Sequence, residues 1–229
     1  MYLTRMELDV RRKKTMVAFA NRRLFHGAVE SAFEGERKRR LWRIDRLGNA
    51  CYLLIVSEDK PDLTLAFEQF GPYQKEAYWE TKQYDKLLNC IENGSMWQFR
   101  LTANPTVSSS KNRNKDNFQS QKQEREKIKR GTVYAHNVES YQREWLQKKA
   151  EKNGFCVNDE NVSVVQSQWM QFTKREAGNR ISFISVTYEG ILTVSDKEMF
   201  VKALTEGIGR EKAYGVGLMT LVHMEKGTV

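Results

Sequence analysis

Apolar and polar residues alternate from Tyr2 to Leu8, which puts Tyr2, Thr4, Met6 and Leu8 on one face and predicts a strand. Thr15 to Phe33 has helical composition, interrupted only by Gly27, which is expected to divide it into two helices. Leu41–Arg46 and Ala50–Ser57 read as short strands on either side of Gly48-Asn49, a hairpin signal. Tyr84–Ile91 reads as a short helix with Leu87, Leu88 and Ile91 apolar, and Met96–Ala103 as another strand. The order β-α-β-β-α-β is that of a split βαβ, ferredoxin-like unit.

The second half repeats the logic less cleanly. Val138–Lys152 predicts a helix with Val138, Tyr141, Trp145 and Ala150 along one side, Asn137 as N-cap and Gly154 as its stop. Val162–Phe172 and Ile181–Val194 are extended runs around Ala177-Gly178-Asn179. Asp196–Glu206 has a helical apolar face (Met199, Phe200, Ala203, Leu204) and Asp196 in N-cap position. Val216–His223 reads as a last strand. With a short strand near Val133, this is a second, distorted copy of the first unit.

Charge changes the picture. Lys and Arg number 38 against 29 acids, giving +9 and a pI near 9.4, so a polyanionic partner is expected. Residues 106–131 hold eight of those cations, three acids and few apolar residues beyond Val107, Phe118 and Ile128. They read as a basic linker, either a solvated tether or an RNA-contacting arm. The expected organisation is α+β, with one unit over 1–105, the linker over 106–131 and a second unit over 132–229. There is no apolar run of about 18 residues, so no membrane span is expected. The N-terminus reads as a strand rather than a signal peptide. Cys51, Cys90 and Cys156 are far apart and odd in number, which excludes a disulfide framework and a CxxC metal site and points to a reducing cytoplasm.

Candidate chemistry concentrates in two places. Gly207-Ile208-Gly209-Arg210-Glu211-Lys212-Ala213-Tyr214-Gly215-Val216-Gly217 combines four glycines with two cations just after a helix. Gly207 suits the left-handed residue that ends a helix. The remaining glycines permit close backbone approach, and Arg210 and Lys212 suit a phosphate. The stretch is neither a Walker loop nor a Rossmann turn, and the alternative is a helix cap and loop before a strand. The second place is Asn21-Arg22-Arg23-Leu24-Phe25-His26-Gly27, where a histidine follows two arginines. His26 is either a surface histidine or a proton-transfer group, which an unperturbed pKa near 6.5 permits. His136 precedes a helix and His223 lies in the last strand.

The string G-I-G-x-x-K-A-x-G-x-G-L before a terminal strand closely resembles the C-terminal signature of the CasE branch of CRISPR repeat-RNA endoribonucleases, which works with Cascade. The resemblance extends to Met1-Tyr2-Leu3-Thr4, the His26-Gly27 step, Phe99-Arg100-Leu101-Thr102-Ala103-Asn104-Pro105 and Glu139–Leu146, in order along nearly the whole chain.

The resemblance implies tandem ferredoxin-like domains and a metal-independent endoribonuclease that cuts repeat hairpins in precursor crRNA. It implies that the 2′-OH attacks the phosphorus, leaving 2′,3′-cyclic phosphate or 3′-phosphate and 5′-OH ends, with the product held in Cascade. No cofactor or metal is implied, and no HExxH, paired-carboxylate or CxxC pattern occurs. His26 is the implied catalytic residue. Arg22, Arg23 and Lys174 are candidates to stabilise phosphate charge. Arg175, Gly207, Gly209, Arg210, Lys212, Gly215, Gly217 and Arg100 are candidates for RNA contact. Some relatives have a tyrosine three residues before the histidine; Arg23 stands there in this chain, so a tyrosine hydroxyl role finds no support in that position. The alternative is a non-catalytic subunit that binds the RNA hairpin. A general nucleic-acid protein such as a ribosomal component fits the order of motifs less well.

Overall fold

The computed structural model describes residues 1–73, 76–109, 132–135, 138–173 and 180–224. The first unit runs β1 (Tyr2–Leu8), α1 (Lys13–Ala20), α2 (Arg23–Ser31), β2 (Arg40–Leu47), β3 (Ala50–Ser57), α3 (Thr64–Phe70) and β4 (Trp79–Gln83). Its antiparallel sheet has the order β2-β3-β1-β4, as two interleaved split βαβ motifs require. Met6 and Leu8 of β1 and Leu53 and Ile55 of β3 face the helices. Phe25 and Val29, one turn apart on α2, close over them with Leu63, Phe67 and Phe70.

The second unit runs β5 (Met96–Ala103), α5 (Glu139–Lys152), β8 (Phe155–Thr173), β9 (Arg180–Val194), α6 (Lys197–Glu206) and β10 (Met219–His223). The order β10-β5-β9-β8 is the same topology again. A short helix α4 (Asp85–Asn89) connects the units. A hairpin of β6 (Thr106–Ser109) and β7 (Thr132–Ala135) sits between β5 and α5.

Three sequence expectations move. Met96–Ala103, counted as the last strand of the first unit, pairs with β9 and β10 and opens the second. The true fourth strand is β4, a short edge strand with the sequence WETKQ, too polar to register as an alternating run. The expected limits at 105 and 132 therefore cut through the second sheet's own unit. The basic stretch is an insertion within it, since its flanks β6 and β7 pair with each other. Residues 110–131 of that stretch lie outside the described residues. The break in the first helical run falls at Asn21, not at Gly27. Asn21 Oδ1 accepts from Arg23 N at 3.3 Å and so favours a new helix start.

Other local signals hold. Asp196 Oδ1 accepts the Met199 N–H at 2.9 Å, and α6 ends at Gly207 with φ 78°. Asn137, the expected cap of α5, lies outside the described residues.

The units share a core. Leu41 and Val56 of the first sheet pack with Leu218, Ile208 and Ile91. Arg43, 1% exposed, pins the junction. It donates to Asp45 through two bonds of 2.7 Å, to the Arg100 carbonyl at 2.6 Å, to the Leu218 carbonyl at 2.9 Å and to Thr220 Oγ1 at 2.7 Å. A buried guanidinium is tolerated because every donor direction finds an acceptor.

Candidate active site

Helix α2 presents His26 at the seam between the units. Phe25, Ala28 and Val29 take the buried side, which leaves His26 half-buried, with 22% of its side chain exposed. Arg37 Nη2 lies 3.4 Å from His26 Nε2, and Glu30 Oε1 lies 3.9 Å from Nδ1. Arginine only donates, so Nε2 must accept and Nδ1 carries the proton in the neutral ring. Burial lowers the His26 pKa below its ordinary value; Glu30 opposes this and Arg37 adds to it. The imidazole is therefore a neutral base at pH 7. Glu30 is held by Arg37 at 3.1 Å and by Arg40 at 3.0 Å.

Arg22 is half-buried at the start of α2 and lines a polar cavity of about 30 Å³ with Arg43, Gln166, Gln168, Thr187 and Tyr214. That volume holds about one water. Burial, with Arg46 nearby, lowers the Arg22 pKa to about 10, so it stays charged at neutral pH. Among the described residues no acceptor closes on its guanidinium, which leaves a cation available to a ligand anion. Arg23 is exposed on the same helix.

Tyr214 was not singled out in the sequence. It sits in a 3-10 turn, Lys212–Tyr214, and its ring meets His26 edge-on at 6.3 Å between centroids. Phe172 at 5.0 Å and Phe183 at 6.1 Å wedge it from β8 and β9. Its hydroxyl pKa is raised by burial and Glu211 and lowered by Arg23, so the phenol is neutral and lies within the field of Arg23. The signal was a tyrosine inside a glycine stretch, whose partner is 188 positions away in the chain and invisible to local pattern.

The glycine stretch lies on protein. A Cβ on Gly207 would come within 2.6 Å of Leu41, on Gly209 within 3.3 Å of Trp145, on Gly215 within 2.5 Å of Trp42 and on Gly217 within 3.0 Å of the Ile208 carbonyl. Close packing of the loop on β2 and α5 accounts for these glycines without an RNA contact. Arg210 is exposed and Lys212 Nζ donates to the Glu206 carbonyl at 2.8 Å. Arg100, expected at RNA, is spent internally: it binds Glu189 at 2.5 Å and approaches Asp45 at 3.5 Å on the sheet. Lys174, Arg175 and His136 lie outside the described residues. Among the described residues no group of three His, Cys, Asp or Glu side chains is arranged to hold a metal. No helix among them is long and apolar enough to cross a membrane.

Tandem ferredoxin-like units with a histidine at their seam define a class of two-domain α+β proteins, and comparison with known proteins names its family. Residues 1–223 match the family described as CRISPR associated protein. The chain belongs to that family, to which its resemblance to the CasE branch pointed. The CRISPR-associated endoribonuclease Cse3 of Thermus thermophilus is 24% identical over 235 residues, covering 96% of this chain and 99% of that protein. The fold matches Thermus thermophilus Cse3 bound to an RNA representing a pre-cleavage complex, with TM-score 0.72, 22% identity and coverage of 96% and 98%. It also matches the CRISPR-associated protein Cas6e from Escherichia coli, with TM-score 0.65, 22% identity and coverage of 98% and 100%.

Proposed function

We propose that this protein is an endoribonuclease that cleaves the repeat hairpin of CRISPR precursor RNA without a metal, and that it then holds the hairpin as a Cascade subunit. The observation that carries the reading is the neutral His26 imidazole, its Nε2 lone pair held at a cationic seam. RNA brings its own nucleophile. His26 Nε2 takes the 2′-OH proton, the 2′-oxygen forms a bond to phosphorus, and the bond to the 5′-oxygen breaks. The 5′-oxygen leaves with a proton taken from solvent water, and the His26 imidazolium gives its proton back to solvent, leaving a 2′,3′-cyclic phosphate and a 5′-OH. Arg22, charged and without an acceptor among the described residues, is suited to the negative charge that builds on the phosphate oxygens. Arg23 adds to that field, and Tyr214 fixes the imidazole plane. Lys174 and Arg175, between β8 and β9, remain candidates for the phosphates of the stem. The relatives support the reading: the homologous Thermus protein is named an endoribonuclease, and it has been seen with RNA.

A gel of repeat RNA incubated with the protein in EDTA tests this. Cleavage to 5′-OH and cyclic-phosphate ends is expected, with none when the 2′-OH at the cut is replaced by hydrogen. Activity that EDTA abolishes would sink the metal-free mechanism. Tight hairpin binding without cleavage would favour the non-catalytic subunit.

A further inference from the structure

We infer that Arg39, Lys212, Lys149, Lys152 and Arg210 form a phosphate track that carries the RNA strand flanking the hairpin away from His26, across the glycine loop and onto the C-terminal turn of α5. The inference rests on the reading of the protein as RNA-binding and extends it to a surface away from the cut.

The track begins at the site. Arg37 and Arg40, on either side of Arg39, both bind Glu30 beside His26. Arg39 itself is exposed and has no acceptor among the described residues. From there the turn that carries Lys212 packs against α2 and against β2, the strand that Arg39 precedes. Arg39 and Lys149 both lie close enough to Lys212 to depress its ammonium, after burial. Lys152 and Arg210 do the same to Lys149, again after burial. Trp145 forms the floor: Lys149 Nζ stands 5.7 Å from its ring centre, and the loop at Gly209 rests on the same ring.

These charges repel one another. The Glu206 carboxylate opposes part of that repulsion at Lys212, whose Nζ donates to the Glu206 carbonyl rather than to the carboxylate. Among the described residues Lys152 and Arg210 have no ion pair. The C-terminal end of α5 favours cations but cannot explain Arg39, Arg210 or Lys212, which come from other segments. A row of like charges drawn from three segments is relieved by a polyanion that follows it.

The test measures binding of non-cleavable repeat RNA, with 2′-deoxy at the cut, as a function of salt. Three RNAs are compared: the bare hairpin, the hairpin with its 5′ flank and the hairpin with its 3′ flank. The variant is Arg39→Gln/Lys149→Gln/Lys152→Gln. Each lost phosphate contact on a single strand lowers the slope of log K against log salt by about 0.7, so the triple variant should lose about 2. That loss should appear with one flanked RNA and not with the bare hairpin, which also identifies the strand. Lys82→Gln/Lys86→Gln, on the edge strand β4 and the connecting helix α4, should leave every slope unchanged. An unchanged slope in a natively folded triple variant would overturn the track and leave the cluster to an acidic protein surface. An equal loss in the Lys82/Lys86 control, or on the bare hairpin, would overturn it as well. Should the triple variant misfold, Arg39→Gln/Lys152→Gln changes only exposed side chains and should lose about 1.4. Because the RNA is non-cleavable, the result is independent of whether His26 is catalytic.

Discussion

Replacing Gly215 by alanine tests whether the glycine loop is shaped by packing. Gly215 has φ 78°, in the left-handed region, and the added Cβ would fall 2.5–2.9 Å from three atoms of the Trp42 ring. Trp42 is 1% exposed and packs against Phe25, so its ring cannot swing aside. Left-handed strain costs about 1–2 kcal/mol and overpacking about 1–3 kcal/mol. Gly215→Ala should therefore lose about 2–5 kcal/mol in urea unfolding. It should also slow cleavage, because Tyr214 precedes it and would be displaced from His26. Gly27→Ala is the control. Gly27 lies inside α2, and a methyl added there would meet nothing within 4 Å, so alanine should add about 0.5–1 kcal/mol of stability. If an RNA strand approaches at Gly27, the same change weakens binding. A Gly215→Ala protein as stable as wild type would refute the packing account.

Arg43→Ala removes the pin between the sheets and leaves the buried Asp45 carboxylate with only the longer Arg100 contact at 3.5 Å, so urea unfolding should show a loss of about 3 kcal/mol. The pH–rate profile should rise through an inflection below 6.5 and then level, because the depressed His26 pKa makes the neutral base the dominant form above it. Arg37→Gln removes a depressing charge and should move that inflection upward. Tyr214→Phe should keep most of the single-turnover rate and Tyr214→Ala should lose more of it than of affinity, since the ring, wedged by Phe172 and Phe183, holds the imidazole.

Much of the fold was legible. The alternation of β1, the hairpin at Gly48 and the Asp196 cap are local signals, and each appears where the pattern puts it. β4 was not legible, because an edge strand exposed on one side needs no apolar alternation, and without it the strand count slipped by one. Sheet membership was likewise hidden in Met96–Ala103, whose pattern fits either sheet and whose partners lie about 90 and 120 residues downstream. His26 and the arginines before it could be picked out as residue types in a suggestive order. The fate of Arg100 could not: its acid partners, Glu189 and Asp45, are long-range. Tyr214 escaped for the same reason.

The most direct test of the central claim is single-turnover cleavage of repeat hairpin RNA by His26→Ala in EDTA, with affinity measured on the same protein. General acid–base catalysis contributes about 10²–10⁴-fold, so the rate should fall by that factor while hairpin affinity, spread over many phosphates, holds. A His26→Ala protein that cleaves at the wild-type rate would contradict the account and return His26 to an ordinary surface histidine.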